Sequence, residues 1–161
     1  MHMVTTFGQE WQNKIFRPEQ HIRNNTMNIT RDRFLIYAVS NCVASREQAF
    51  SALSNLGKQV EYGGRCAAKN QPGRNATNIV KAPDSVFRSS WGTNHIVFQP
   101  YRFALVMENR NAKGYITEKI LNAFMAGCIP IYYGTPDVFE IFNKRAFIWY
   151  DVKDPQSALD R

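Results

Sequence analysis

The sequence predicts an α/β fold: a Rossmann-like parallel sheet flanked by helices. Three observations carry that expectation. Strand-like and helix-like segments alternate along the chain. The strand-like segments are nearly uninterrupted apolar runs, as in strands buried on both faces by crossover helices. Finally, 44% of the 161 residues are hydrophobic, which is enough for one core and one domain.

Residues 1–33 are irregular and polar and read as a linker or the remnant of a preceding domain. The first strand is FLIYAVSN, Phe34 to Asn41, a compact run of strand formers. SREQAFSALSNLG then predicts a helix, with Ser45 as N-cap and Gln48 at the capping-box position. Ala49, Phe50, Leu53 and Leu56 form its apolar stripe, and Gly57 is its expected stop. VEY begins a short strand that ends at Gly63–Gly64. From Arg65 to about Trp91 the polar composition, with Pro72, Gly73 and Pro83, predicts a loop long enough to be functional or mobile.

RFALVMEN, Arg102 to Asn109, is the next strand. A helix is expected from about Thr117 to Ala126, with Ile116, Ile120, Leu121 and Phe124 at core spacing and Gly127 as its stop. CIPIYYG predicts a strand, PDVFEIF a short helical turn, AFIWY a strand, and DPQSALDR the start of a helix cut short.

The balance of 20 basic against 13 acidic residues favours anionic partners: nucleic acid, anionic lipid or a phosphorylated small molecule. The basic residues are dispersed, and Arg31 with Arg33 is a weak cluster beside a true polybasic arm. A polyanion- or nucleic-acid-binding surface is therefore the alternative reading, and no nucleic acid is expected as partner. No run of about 18 apolar residues exists, so no membrane segment is expected. The three cysteines, Cys42, Cys66 and Cys128, lack metal-ligand spacing and are expected as free, partly buried thiols. A Cys42–Cys66 bridge is the alternative in an oxidising compartment. His2, His21 and His95 are isolated, phosphate-loop signatures are absent, and no nucleophile–base pair is readable.

In a doubly wound sheet, ligands sit beyond the carboxyl ends of the strands. Two of the loops there lead to a cation at the opening of a helix, Arg46 and Lys119. A cation in that position opposes the helix dipole. Two of them can converge on one anion, aided by the unpaired N–H groups of the helix ends. Beside Lys119, Glu118 suits the vicinal hydroxyls of a sugar, while Tyr115 offers a ring for stacking and a hydroxyl for phosphate. Thr117 can cap the helix, and Gly114 allows close backbone approach. A nucleotide-linked sugar presents groups complementary to all of these.

The stretch RFALVMENRNAKGYITEKILNAFMAGCIPIYYGTPDV resembles the donor-binding motif of the alpha-1,3-fucosyltransferases, glycosyltransferase family ten. The match lies at Glu108, Asn109, Tyr115, Ile116, Thr117, Glu118, Lys119, Gly127, Pro130, Ile131 and Gly134. Upstream, SNCVASREQAFSAL resembles the family's Ser-Asn-x…Arg segment, and VEYGGRC its Val-Asp-x-x-Gly-Arg/Lys stretch. Met107 departs from the pattern, which commonly has an aromatic residue there.

The resemblance covers about Phe34 to Asp154 and implies the carboxyl-terminal half of a two-domain GT-B glycosyltransferase. GDP-fucose would be the donor substrate, with no separate cofactor and no metal. The reaction implied is inverting transfer of fucose to an N-acetylglucosamine or glucose unit of a glycan acceptor. Arg46 and Lys119 would contact the diphosphate with help from Tyr115, Glu118 would hold the ribose hydroxyls, and Asn109 would lie near the nucleotide or fucose. Asn41, Gly64, Arg65 and Glu108 are weaker candidates. The family's catalytic base belongs to an acceptor domain that residues 1–33 cannot supply. The chain is thus expected to be a donor-binding domain over residues 34–161, truncated at its carboxyl end and inactive alone. A non-catalytic relative that binds a partner is the remaining reading.

Overall fold

The structure, a computed structural model, describes residues 30–64, 66, 78–82 and 94–160. In chain order the elements are β1 (Arg33–Val39), α1 (Ala44–Ser54), β2 (Val60–Gly64), β3 (Ile79–Lys81) and α2 (Asn94–Phe98). They are followed by β4 (Tyr101–Met107), α3 (Glu118–Ala126), β5 (Ile129–Tyr133), α4 (Val138–Ile141), β6 (Ile148–Trp149) and α5 (Gln156–Leu159). The strands form one sheet in the order β3-β2-β1-β4-β5-β6, and every neighbouring pair is parallel. This is the predicted α/β architecture.

The apolar runs are explained by burial on both faces. Along β4, Ala104 and Val106 enter one core with Ile120 and Ala123 of α3. Leu105 and Met107 alternate to the other core, with Phe50 and Leu53 of α1. Phe50 is 2% exposed and stacks on Tyr37 with ring centroids 4.9 Å apart. Burial of one such ring stabilises the fold by about 2–3 kcal/mol. α3 closes at Gly127, which takes the left-handed conformation (φ +75°) as its C-cap.

Several local expectations are corrected. α1 starts at Ala44 with Val43 as N-cap, and neither Ser45 nor any other side chain caps it. The turn closes early because the Val43 carbonyl accepts the N–H groups of both Arg46 and Glu47. The helix also ends at Ser54, before Gly57, so Leu56 lies past its apolar stripe and is exposed. β3 falls inside the segment expected to be loop, and most of that segment lies outside the described residues. α2 had no counterpart in the sequence reading.

The cysteines are corrected as well. Cys42 and Cys66 form a disulfide, with Cα atoms 5.2 Å apart. The pairing of β1 with β2 brings the loops after those strands together, which sequence spacing cannot reveal. Cys128 is free and buried, and its thiol donates to the carbonyls of Phe98 and Tyr101. Burial pushes that thiol up to about 12. Among the described residues, no helix is long and apolar enough to cross a membrane.

Candidate functional site

The strand order reverses between β1 and β4, and at such a switch point a crevice opens beyond the carboxyl ends of the strands. A cleft of about 410 Å³ occupies this position. Its walls come from the ends of β1, β2 and β4, from α2, and from the first turns of α3. The volume lies within the range of small-molecule sites.

Arg46, in the first turn of α1, is 1% exposed and lines this cleft. Its guanidinium donates to the carbonyl oxygens of Asn41 and Met107 and to Asn109 Oδ1. Its Nε is buried with no hydrogen-bond partner. Among the described residues, no carboxylate lies within ion-pair distance of it. Burial lowers its pKa, opposed by the nearby Tyr37 and Glu108, yet a guanidinium keeps its proton. Among those residues its hydrogen bonds go only to neutral groups and no ion pair meets its charge, a costly state for a buried cation. Asn41 and Asn109 thus act here by holding Arg46 at the floor of the cleft.

Lys119 has a different environment. Its ammonium pairs with Glu108 Oε2 at 3.1 Å, donates to Thr117 Oγ1 at 2.7 Å, and lies 4.0 Å from Glu118 Oε1. The Glu108 side chain is fully buried, whereas Lys119 is 19% exposed at the cleft wall. Glu108 also accepts the backbone N–H of Thr117 at 2.7 Å and the Thr117 hydroxyl. A carboxylate from the end of β4 therefore fixes the start of α3 and offsets the cation that the helix dipole disfavours. Thr117 occupies the N-cap position, but its hydroxyl bonds Glu108 and makes no cap to the helix. Glu108 does not line the cleft.

The loop between β4 and α3 is anchored at its middle. Gly114 takes φ +71°, and its N–H donates to Asp137 Oδ2 ahead of α4. Tyr115 follows, and its ring packs under the Arg110 guanidinium, 4.9 Å from the centroid, without lining the cleft. Glu118, Asn109, Asn41 and Gly64 line it together with Arg46 and Lys119. Gly64 has φ +83°, and a Cβ there would stand 2.2 Å from the Val39 carbonyl oxygen. Only glycine permits β2 to run this close to β1 at the rim. Arg65 lies outside the described residues.

Sequence reasoning missed Asn122. It is 2% exposed, lines the cleft, and its Oδ1 is buried without a hydrogen-bond partner. The available signal was an amide inside the apolar run ILNAF, four residues after Glu118 and so on the same helix face.

Known proteins share the sequence pattern and the fold of this chain. The family model described as glycosyltransferase family 10 (fucosyltransferase) C-term matches residues 28–159. An alpha-(1,3)-fucosyltransferase of Helicobacter pylori is 33% identical over 128 residues, covering 79% of this chain and 23% of that protein. A putative fucosyltransferase of Acanthamoeba polyphaga mimivirus is 40% identical over 123 residues, covering 74% of this chain and 19% of the relative. The chain thus spans about a fifth to a quarter of the length of these relatives. A crystal structure of an alpha1,3-fucosyltransferase superposes with a TM-score of 0.57 at 27% identity, covering 86% of this chain and 36% of that one. Another, solved with GDP-fucose, shares the fold at 24% identity and the same TM-score, covering 91% of this chain and 43% of that one.

The alternative of a diffuse polyanion surface is not supported. Arg46 is buried and Lys119 is ion-paired, so neither adds to an open basic face. A Rossmann-like sheet with its cleft at the switch point, and a family match over most of the chain, place this protein in glycosyltransferase family 10, the fucosyltransferases, within that family's C-terminal region.

Proposed function

We propose that this chain is the GDP-fucose-binding part of an inverting alpha-1,3-fucosyltransferase that modifies an N-acetylglucosamine or glucose unit of a glycan. The observation that carries the reading is Arg46: a buried guanidinium at the switch point with no carboxylate partner among the described residues. A diphosphate supplies the missing charge. Solved relatives bound to GDP and to GDP-fucose share the fold and support the choice of nucleotide.

In this reading Arg46 and Lys119 meet the diphosphate, and Glu118 accepts from the ribose hydroxyls. Asn109 holds the Arg46 guanidinium in register. In the reaction the bond from fucose C1 to the diphosphate oxygen breaks, and its electron pair stays with the diphosphate. An acceptor hydroxyl attacks the opposite face and gives its proton to a base from another part of the whole enzyme. Fixed cations facing the oxygen where charge develops lower the barrier electrostatically. When the diphosphate enters, Lys119 exchanges part of its pairing with Glu108 for phosphate, while Glu108 keeps its hold on Thr117. The domain reading follows: residues 34–161 bind the donor, and acceptor and base come from outside them.

A thermal-shift panel of GDP-fucose, GDP, GDP-mannose and UDP tests the proposal. At a hundredfold excess over Kd, the guanosine ligands should raise the melting temperature by about 5–10 °C, with UDP well behind. A folded chain whose melting point moves with none of them contradicts it.

A further inference from the structure

Asn122 has no part in the charge arrangement just described, and its environment is costly for the fold alone. It sits in the second turn of α3, almost wholly buried, with Oδ1 lacking any hydrogen-bond partner. Its neighbours in the helix, Leu121 and Ala123, show that this stretch is built for apolar packing. A buried acceptor with no partner, on a residue that lines a cleft, calls for an explanation.

We propose that Asn122 reads the nucleobase of the donor, with Oδ1 accepting a hydrogen bond from the edge of the purine ring. The inference rests on the reading of the cleft as a GDP-sugar site. The i, i+4 spacing places Asn122 beside Glu118 on one helix face, with Cβ atoms roughly 5–6 Å apart. A ribose held by Glu118 can therefore present its base to Asn122, while its diphosphate extends toward Arg46 and Lys119. The remaining lining suits a planar ring: Ala38, Val106 and Phe98 are apolar, and Asn94 adds a second amide. Guanine carries two adjacent donors on its pairing edge, N1–H and the exocyclic amine, which fit an unpartnered acceptor. A phosphate would not use those apolar walls.

Calorimetric titration of the wild-type chain, Asn122→Ala and Asn122→Leu with GDP and with ribose 5-diphosphate, which lacks the base, decides the matter. The proposal expects both variants to bind GDP about 10–30-fold more weakly and ribose 5-diphosphate within twofold of wild type. It also expects the ligand-free Asn122→Leu chain to melt no lower than wild type, because leucine removes the open acceptor and keeps the volume. Unchanged GDP affinity, or equal losses for both ligands, overturns the assignment and leaves Asn122 a packing or water-holding residue. A wild-type chain that binds GDP keeps the donor-site reading intact whatever the variants do. One that binds neither ligand overturns both.

Discussion

The two ends of the sheet carry polar networks of similar composition and opposite character. Toward the amino end, Glu61 is buried and accepts from Arg33 at 3.1 Å and from the Tyr101 hydroxyl at 2.8 Å. Burial and the Glu61 carboxylate raise Tyr101 to about 12 against the opposing effect of Arg33, so it remains a neutral donor. Every partner there is met by another side chain of the same network. At the carboxyl end, Arg46 is more deeply buried than Arg33 and yet has no carboxylate within ion-pair distance among the described residues. Asn122 is likewise open at its acceptor. The amino-end network closes on itself; the carboxyl-end groups lie at the cleft that, in the proposed reading, the donor fills. Lys119 stands between the two cases, with its charge matched by Glu108 but its ammonium at the cleft wall.

Perturbing the two ends should therefore have different consequences. Arg46→Ala should give the largest effect, a fall in GDP affinity of about 100-fold or more, because charge-assisted hydrogen bonds to phosphate are lost. Binding by Arg46→Ala within a few-fold of wild type, measured by calorimetry, would erase the distinction drawn here. Gly64→Ala should lower stability by about 3 kcal/mol in urea unfolding, since alanine meets both the positive φ and the Val39 carbonyl. Replacing Cys42 and Cys66 together by serine should cost up to about 3.5 kcal/mol in the chain-entropy account. It should also weaken GDP binding a few-fold, because the bridge ties the two loops at the cleft rim. Glu61→Gln should be the mildest, about 1 kcal/mol of stability, with GDP affinity unchanged. A binding defect in Glu61→Gln would show that the amino end is coupled to the cleft.

Much of this arrangement was legible in the sequence, and the exceptions share a cause. β1, β4 and β5 were visible because strands buried on both faces are continuous apolar runs. α3 was visible through its core spacing and Gly127. β3 and α2 are too short to show a period, at three and five residues. Arg46, Glu118 and Lys119 were singled out by residue type and loop position, Asn109 by the family resemblance, and one cleft gathers them. What stayed hidden was pairing across space. The Cys42–Cys66 bridge follows from the adjacency of β1 and β2, not from their sequence separation of 24. The puzzle of a lysine opening α3 is answered by Glu108, a fully buried carboxylate eleven residues earlier. The Arg110 guanidinium over the Tyr115 ring was likewise not visible in the sequence. Asn122 was masked by the apolar stripe it interrupts.

The central claim is that the switch-point cleft is a diphosphate site whose buried cation awaits its anion. Titrating the wild-type chain with GDP and with guanosine, at one salt concentration, tests it most directly. The account predicts one-site binding of GDP at least ~100-fold tighter than guanosine, the share expected of two charge-assisted contacts from Arg46 and Lys119. Equal affinity for the two, or no binding of GDP by a folded chain, would contradict it.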